Sequence, residues 1–261
     1  MKIVSWNVNS LKVRLPHVLD WLAEHKPDVL GLQELKCEDL AFPIEAIEKA
    51  GYHAVFHGQK TYNGVALLTR SNAIEVVRNI PGFEDEQARV IAGTVGGVRV
   101  VCGYFPNGQE VGSEKFAYKL RWIEALTDWL KDEIAAHPKL ALVGDYNIAP
   151  EDRDAHPDWK YQIHVSEPER AAFKALTALG LEDTFRLFEQ PEQTFSWWDY
   201  RMGAFRRNLG LRIDHILTTP PLTAQCIASS IDPAPRKLER PSDHAPVIAE
   251  FSAMESFSGE K

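Results

Sequence analysis

The chain has 261 residues, 44% of them hydrophobic and 25% charged, the composition of a soluble globular protein with enough apolar residue for a sizeable core. Its formal net charge of -8 argues against a general polyanion coat, so a nucleic-acid ligand would have to be met by local basic segments, with binding that falls steeply with salt. Cys37, Cys102 and Cys226 are odd in number, far apart and without Cys-x-x-Cys spacing, which argues against a zinc site or a disulfide. The N-terminus, Met1-Lys2-Ile3-Val4-Ser5-Trp6, turns polar too soon for a signal peptide, and no apolar stretch approaches a membrane span. The expectation is a cytoplasmic protein with no membrane partner.

The first predicted strand runs from Lys2 to Trp6. Leu15, Val18, Leu19 and Leu22 then recur at helical spacing until Pro27 ends the helix. Asp28 to Leu32 is a continuous apolar run of buried-strand type. Further strands are expected at His53–Phe56, Val65–Thr69 and Ile74–Val77, with a turn at Asn63-Gly64. Val90–Val95 and Val98–Tyr104 flank Gly96-Gly97 as a two-residue hairpin. A long helix covers Lys115–Ile134, with Phe116, Leu120, Ile123, Leu126 and Leu130 on one side. Leu140–Val143 is another buried strand. Residues 149–165 are polar and irregular, a candidate functional loop. Ser166 and Glu169 form a capping box for a helix through Leu179. Strands at Phe195–Tyr200, Arg212–Leu217, Cys226–Ile231 and Val247–Phe251 complete the pattern. Many strands with a few helices imply two packed β-sheets covered by helices, as one domain over residues 1–254 with a frayed tail at 255–261.

Polar groups collect at the ends of the apolar runs, which suggests a site. Glu34 follows Val29-Leu30-Gly31-Leu32-Gln33, and its hard oxygens suit magnesium, although a strand-end carboxylate is commonly just solvated. Asn7 follows the first strand in the same fashion, where an Asn usually makes a turn. Asp145 and Asn147 are two residues apart and would point to one side if the segment stays extended. Their bland reading is a β-turn. Asp214 lies inside an apolar strand and would need a partner, for which a nearby His is the obvious choice. Asp243-His244 offers an acid and a base, and His244 with a carboxylate behind it could stay cationic and stabilise a phosphorane-like transition state. Tyr104 ends a strand, where a Tyr is usually a packing residue. Each signal is weak alone; their combination in this order is strong.

The chain resembles the exonuclease III family of abasic-site endonucleases and 3′-end repair nucleases, within the DNase I-like phosphodiesterase fold. The matching segments are Ser5-Trp6-Asn7-Val8-Asn9-Ser10-Leu11, Gly31-Leu32-Gln33-Glu34-Leu35-Lys36, Tyr52 to Arg70 and Gly103-Tyr104-Phe105-Pro106-Asn107-Gly108. They continue with Gly144-Asp145-Tyr146-Asn147-Ile148-Ala149-Pro150, Phe195-Ser196-Trp197-Trp198-Asp199-Tyr200, Leu211-Arg212-Ile213-Asp214 and Pro241-Ser242-Asp243-His244-Ala245-Pro246. The resemblance implies an α/β four-layer sandwich of two mixed β-sheets flanked by helices. It implies a monomeric magnesium-dependent DNA repair enzyme, with manganese as a substitute. That enzyme would cut duplex DNA 5′ to abasic sites and act as a 3′-phosphodiesterase, 3′-phosphatase and 3′-5′ exonuclease. An alternative is an enzyme that works mainly at 3′ ends with little abasic endonuclease activity.

Carried over by position, the resemblance implies Glu34 as principal magnesium ligand, helped by Asn7 and by Asn9 or Asp243. Asp145 would activate water or protonate the leaving oxygen. Asn147 and Tyr104 would hold the scissile phosphate, His244 would contact its non-bridging oxygen, and Asp214 would orient His244. Trp197 would pack against the sugar of the abasic or terminal nucleotide. Position 211 is Leu211 here where some relatives carry a second aromatic, which thins the pocket wall. The loop from Glu151 to Val165 is shorter than in some members and carries Trp159, Tyr161 and His164, the last as a candidate obstruction of the pocket. Lys36 and the run Arg201-x-x-x-x-Arg206-Arg207 are candidate DNA contacts. Lys115, Lys119, Arg121, Arg236, Lys237 and Arg240 read as solvated surface charges. Two rivals are a phosphatase or diesterase acting on inositol lipids or sphingomyelin, and a non-catalytic module that kept the fold. The aromatic segment with its basic follow-up argues against the first. Retention of Glu34, Asp145, Asn147, Asp214 and His244 argues against the second.

Overall fold

The computed structural model describes residues 1–252, so the tail expected to fray at 255–261 lies outside the described residues. The first half of the chain runs β1 (Lys2–Asn7), α1 (Leu11–His25), β2 (Val29–Gln33), α2 (Ile44–Lys49), β3 (His53–His57), β4 (Val65–Thr69), β5 (Ile74–Arg78), β6 (Val90–Val95) and β7 (Val98–Tyr104). The second half runs α3 (Glu114–Ala136), β8 (Leu140–Asp145), α4 (Glu167–Thr177), β9 (Glu182–Asp183), β10 (Trp197–Trp198), β11 (Gly210–Leu211), β12 (Asp214–Thr218), α5 (Pro220–Thr223), β13 (Cys226–Ile231) and β14 (Val247–Phe251). The strands form two six-stranded sheets, in the orders β13-β14-β1-β2-β4-β3 and β5-β6-β7-β8-β12-β9, with β10 and β11 as a separate ribbon. Both sheets are mixed: β1 and β2 are parallel, as are β7 and β8, and the other neighbours are antiparallel.

The sheets pack face to face. Ile3, Val29, Val65 and Leu67 of the first meet Val100, Cys102, Ala141 and Val143 of the second. The outer face of the first sheet, with Val4, Trp6, Leu30 and Leu32, is covered by Val18, Trp21 and Leu22 of α1 and Ile47 of α2. The outer face of the second, with Val101, Leu140 and Leu142, is covered by Trp122, Ile123, Leu126 and Leu130 of α3 and Phe173 and Leu176 of α4. The result is the expected helix–sheet–sheet–helix sandwich. Because both faces of each central strand are covered, those strands read as unbroken apolar runs rather than alternating ones.

Local chemistry explains most element ends. α1 ends on Lys26 in the left-handed region, followed by Pro27, which cannot continue a helix. The β6–β7 hairpin pairs Val95 with Val98, and Gly96 and Gly97 both take the positive φ of 55° and 79° that the reversal needs. The Ser166–Glu169 capping box opens α4, which ends at Thr177 rather than Leu179. Two strands are shorter than the apolar pattern predicts. Phe195–Tyr200 yields only the two residues of β10, and Arg212–Leu217 is interrupted, with β11 before it and β12 starting at Asp214. Between β11 and β12 the Arg212 N–H donates to the Asp154 carbonyl, and the Ser196 hydroxyl accepts from the backbone N–H of Ile213 and Asp214. Among the described residues no helix is long and apolar enough to cross a membrane.

Two glycines near the strand ends have no room for a side chain. A Cβ on Gly31 would meet Val143 Cγ2 at 2.9 Å, and one on Gly144 would lie 2.0 Å from the Gly103 carbonyl oxygen across the β7–β8 pair. The second neighbour is backbone and cannot swing aside. Gly144→Ala should therefore cost about 3 kcal/mol in chemical denaturation, at the upper end for an overpacked core. A loss under about 1 kcal/mol would mean that β7 and β8 separate easily.

Candidate active site

Sheet register assembles the acidic centre. Tyr104 on β7 pairs with Asp145 on β8, and Asp145 pairs with Asp214 on β12, so the three stand in a row across the second sheet. Across from them, β1 and β2 end at Asn7 and Gln33, register partners in the first sheet. The Asn7 amide nitrogen donates to both Glu34 Oε1 and Asp145 Oδ2, at 2.8 Å each, and so ties the two sheets together at this end. Asp145 is 1% exposed. Its other oxygen accepts from the backbone N–H of Asn147 at 3.0 Å.

Asn147 does not continue the strand. Its φ is 51°, so Asp145 and Asn147 do not share one extended face, contrary to the expectation from their spacing. The Asn147 amide donates to the Phe105 carbonyl at 3.0 Å, and Asn147 Oδ1 accepts from Asn107 at 3.3 Å. Glu34 also leaves its strand in the left-handed region, at φ 54°. Both turns place a polar side chain directly after a buried strand.

His244 Nδ1 lies 2.9 Å from Asp214 Oδ2, and its Nε2 lies 3.6 Å from Asp145 Oδ2. Asp214 also accepts from the Ser196 hydroxyl at 2.6 Å. The partner of His244 is thus Asp214, expected to orient it, and not its sequence neighbour Asp243. Burial alone would depress His244, but Asp214, with Asp145 and Asp243, drives its pKa up to about 10. Burial pushes Asp145 up to about 7 against the lowering pull of His244. In this coupled pair the shared proton belongs on His244, because Asp214 holds it from behind. Burial, then Glu34 and Asp145, raise Tyr104 well above the usual phenol range, so it stays a hydrogen-bond donor. The Arg89 guanidinium lies over its ring, 4.8 Å from the centroid.

Asp243 sits beside this centre. Its carboxylate accepts from Trp197 Nε1 at 2.9 Å and from Asn9 at 3.1 Å. Lys36 bonds Asn9 Oδ1 at 2.6 Å and lies 3.2 Å from Glu34, so its charge is directed inward toward the acidic group. Ligand atoms of Glu34, Asp145 and His244 lie within 4.8 Å of one another. Cationic His244 cannot ligate, and the Asn7 amide turns its N–H groups to Glu34 and Asp145 while its oxygen accepts from the Asn9 backbone. The carboxylate oxygens that remain are hard donors, which fit magnesium or manganese and suit zinc poorly.

One wall of the site is aromatic. Trp197 is bridged to His244 and meets Trp159 edge-on at 5.8 Å. His164 lies 6.3 Å from Trp159 and 6.5 Å from Trp197, measured between ring centroids, and is only 5% exposed. Its Nδ1 donates to the Asn147 carbonyl at 2.8 Å. The pocket-loop His is therefore built into the wall and does not face solvent. Leu211, also fully buried, packs with Ala149 and Ile213 behind Trp197. Arg206 and Arg207 lie exposed beyond the ribbon, and neither forms an ion pair with a described residue.

Ser196, Asn107, Arg89 and Glu169 touch the site residues without having been singled out for it. Ser196 and Asn107 lie within the matching segments, which was their only signal. Lys119 and Arg236, 0% and 6% exposed, are not the solvated surface charges expected. Lys119 sits between Phe116 and Ile123 on the apolar side of α3, and that position was the available clue.

Burial, then Lys119 and His244, lower the pKa of His164 to about 3, and burial, then Arg212, lower that of His215 to about 4. Both are neutral in the folded protein, whereas the unfolded chain takes up a proton on each below about pH 6.5. Stability should therefore fall as pH falls from about 6.5, by about 1.4 kcal/mol per pH unit for each His. Denaturant unfolding of His164→Gln should lose about 2 kcal/mol less than wild type between pH 6.5 and 4.5. Equal losses would show that His164 titrates normally.

A model of the Endonuclease/Exonuclease/phosphatase family matches residues 4–244. Exodeoxyribonuclease III of Haemophilus influenzae is 40% identical over 267 residues, covering 96% of this chain and 100% of that protein. The solved 3′ phosphatase NExo from Neisseria, bound to a product DNA hairpin, superposes with a TM-score of 0.95 at 49% identity, covering 97% of this chain and 100% of that one. An AP endonuclease from Archaeoglobus fulgidus gives a TM-score of 0.93 at 39% identity, again over 97% of this chain and all of its own. With that agreement in sequence and architecture behind the acidic centre, the chain belongs to the Endonuclease/Exonuclease/phosphatase family, among its exonuclease III and AP endonuclease members.

Proposed function

We propose that this protein is a magnesium-dependent DNA repair nuclease that acts chiefly at 3′ ends, removing 3′ phosphates and terminal nucleotides. The observation that carries the 3′-end preference is His164, buried at the aromatic wall between Trp159 and Trp197 and tied to the Asn147 carbonyl. An internal abasic sugar must enter with DNA continuing on both sides, which needs an open wall. A terminal phosphate needs less room. The 49% identity to a protein described as a 3′ phosphatase supports the same choice. The second reading, cleavage 5′ to abasic sites, is favoured by the 39% identity to an AP endonuclease.

Both reactions break the bond from phosphorus to O3′, so one set of residues serves either. Glu34 and Asp145, both held by the Asn7 amide N–H groups, would hold the divalent cation, which would supply positive charge against the scissile phosphate. Asp145, ionised because the shared proton rests on His244, accepts a proton from the attacking water. His244, kept cationic by Asp214, donates from Nε2 to a non-bridging oxygen as charge builds there. The Asn147 amide has one N–H left after its bond to Phe105, and the protonated Tyr104 adds a second donor for the phosphate. Arg206 and Arg207, exposed past the ribbon, would meet backbone phosphates despite the net charge of -8.

Chelation should abolish cleavage of a 3′-phosphate duplex, and added magnesium should restore it. Asn147→Ala and His244→Asn should each lower turnover by about 10²-fold, because each acts on transition-state charge. Full activity in excess EDTA, or normal turnover in both variants, would remove the proposed chemistry. His164→Gly should raise the ratio of internal abasic cleavage to 3′-phosphate removal by about 10-fold or more, as the wall opens. If that ratio stays at its wild-type value, His164 does not govern access and the abasic reading gains.

A further inference from the structure

Behind the phosphate-holding loop lies an ion pair with no contact with solvent. Lys119 on α3 and Glu169 on α4 are both 0% exposed, with Nζ 2.5 Å from Oε1. Lys119 also donates to the Asn147 carbonyl at 2.7 Å and to the Asn107 carbonyl at 3.2 Å, so its three N–H groups have three acceptors. Glu169 Oε1 accepts from the His164 backbone N–H at 3.0 Å, and its Oε2 accepts from the N–H and hydroxyl of Ser166. The Asn147 carbonyl thus receives two donors, Lys119 Nζ and His164 Nδ1. Asn147 and His164 both hold left-handed backbone, at φ 51° and 72°, which non-glycine residues keep only when their surroundings fix them.

Such a pair is weak evidence for stability as its role. Desolvating two charges costs about as much as their attraction returns, and apolar residues of similar volume often fold as well or better. What an apolar pair could not do is hold a carbonyl and an amide at set positions. We propose that Lys119 and Glu169 are positioning residues that fix Asn147 and His164 as one unit, so that catalytic rate and substrate choice are set together. This rests on the roles given to Asn147 and His164 above.

The pair is tested by replacing both charges at once, Lys119→Met with Glu169→Met, in the full chain, with folding checked by thermal melting. On a 3′-phosphate duplex kcat should fall by about 10-fold with KM within about twofold, because Asn147 loses its anchor. The ratio of abasic cleavage to 3′-phosphate removal should rise by about 10-fold as His164 loosens. In a His164→Gly background the same double change should still lower kcat but leave that ratio unmoved. If the double variant does not fold, Lys119→Met with Glu169→Gln keeps the cap on α4 and an acceptor for the His164 N–H. It should then lower kcat alone. A folded variant with wild-type kcat and ratio overturns the inference. Asn147→Ala separates the two failures. If it is inactive while the pair variant is normal, only the positioning role is lost; if it is itself normal, the reading of Asn147 fails first.

Discussion

A carboxylate as enclosed as Asp145 has to find its partners inside the protein, and they come from three separate parts of the chain. Asn7 reaches it from the first sheet, the backbone of Asn147 from its own strand exit, and His244 from the segment before β14. Each arrives correctly only if both sheets end at the same level. The parallel pairs β1–β2 and β7–β8 therefore have to finish together, and Gly31 and Gly144 are small because the strands meet there. A one-residue slip in β8 would turn Asp145 to the other face and break all three contacts. The sandwich is, in this sense, the frame for one buried charge.

The second constraint is left-handed backbone, at two strand exits and in the loop before α4. Glu34, Asn147 and His164 all hold positive φ. None is glycine, so each conformation carries a cost of order 1 kcal/mol that its surroundings must offset. For Asn147 those surroundings are Asp145 on its N–H and Lys119 and His164 on its carbonyl. For Glu34 they are Asn7 and Lys36 on its carboxylate. Rigid polar groups at strand exits are what an electrostatic catalyst needs, since donors already in place do not have to reorganise as charge develops.

Charge balance separates chemistry from access. Glu34, Asp145, Asp214 and Asp243 converge, with His244 and Lys36 in direct contact and Arg236 and Lys119 acting from further off, a cluster of hard oxygen suited to a divalent cation. The two substrates of the proposed function, a 3′ phosphate and an abasic site, would lose the same bond, so the acidic centre would not distinguish them. On the proposed function, distinction falls to the wall formed by Trp159, His164 and Trp197, which belongs to another part of the chain.

The apolar pattern by itself determined the two-sheet sandwich, most strand positions, the hairpin at Gly96-Gly97 and the capping box at Ser166. These depend on local periodicity and turn chemistry, which neighbours in sequence carry. It also determined which strand ends carry polar groups, because a buried run that stops at Glu34, Asp145 or Asn7 marks itself. Tertiary structure alone decided how those groups pair. Asp214 and not adjacent Asp243 holds His244, because β12 lies beside β8 while Asp243 turns toward Trp197. Asn147 departs from the extended path that its spacing from Asp145 suggests, because Lys119 and His164 capture its carbonyl from elements far along the chain. Lys119 itself reads as a surface charge until α3 and α4 close over it, since burial is a property of the packed layers and not of any one segment.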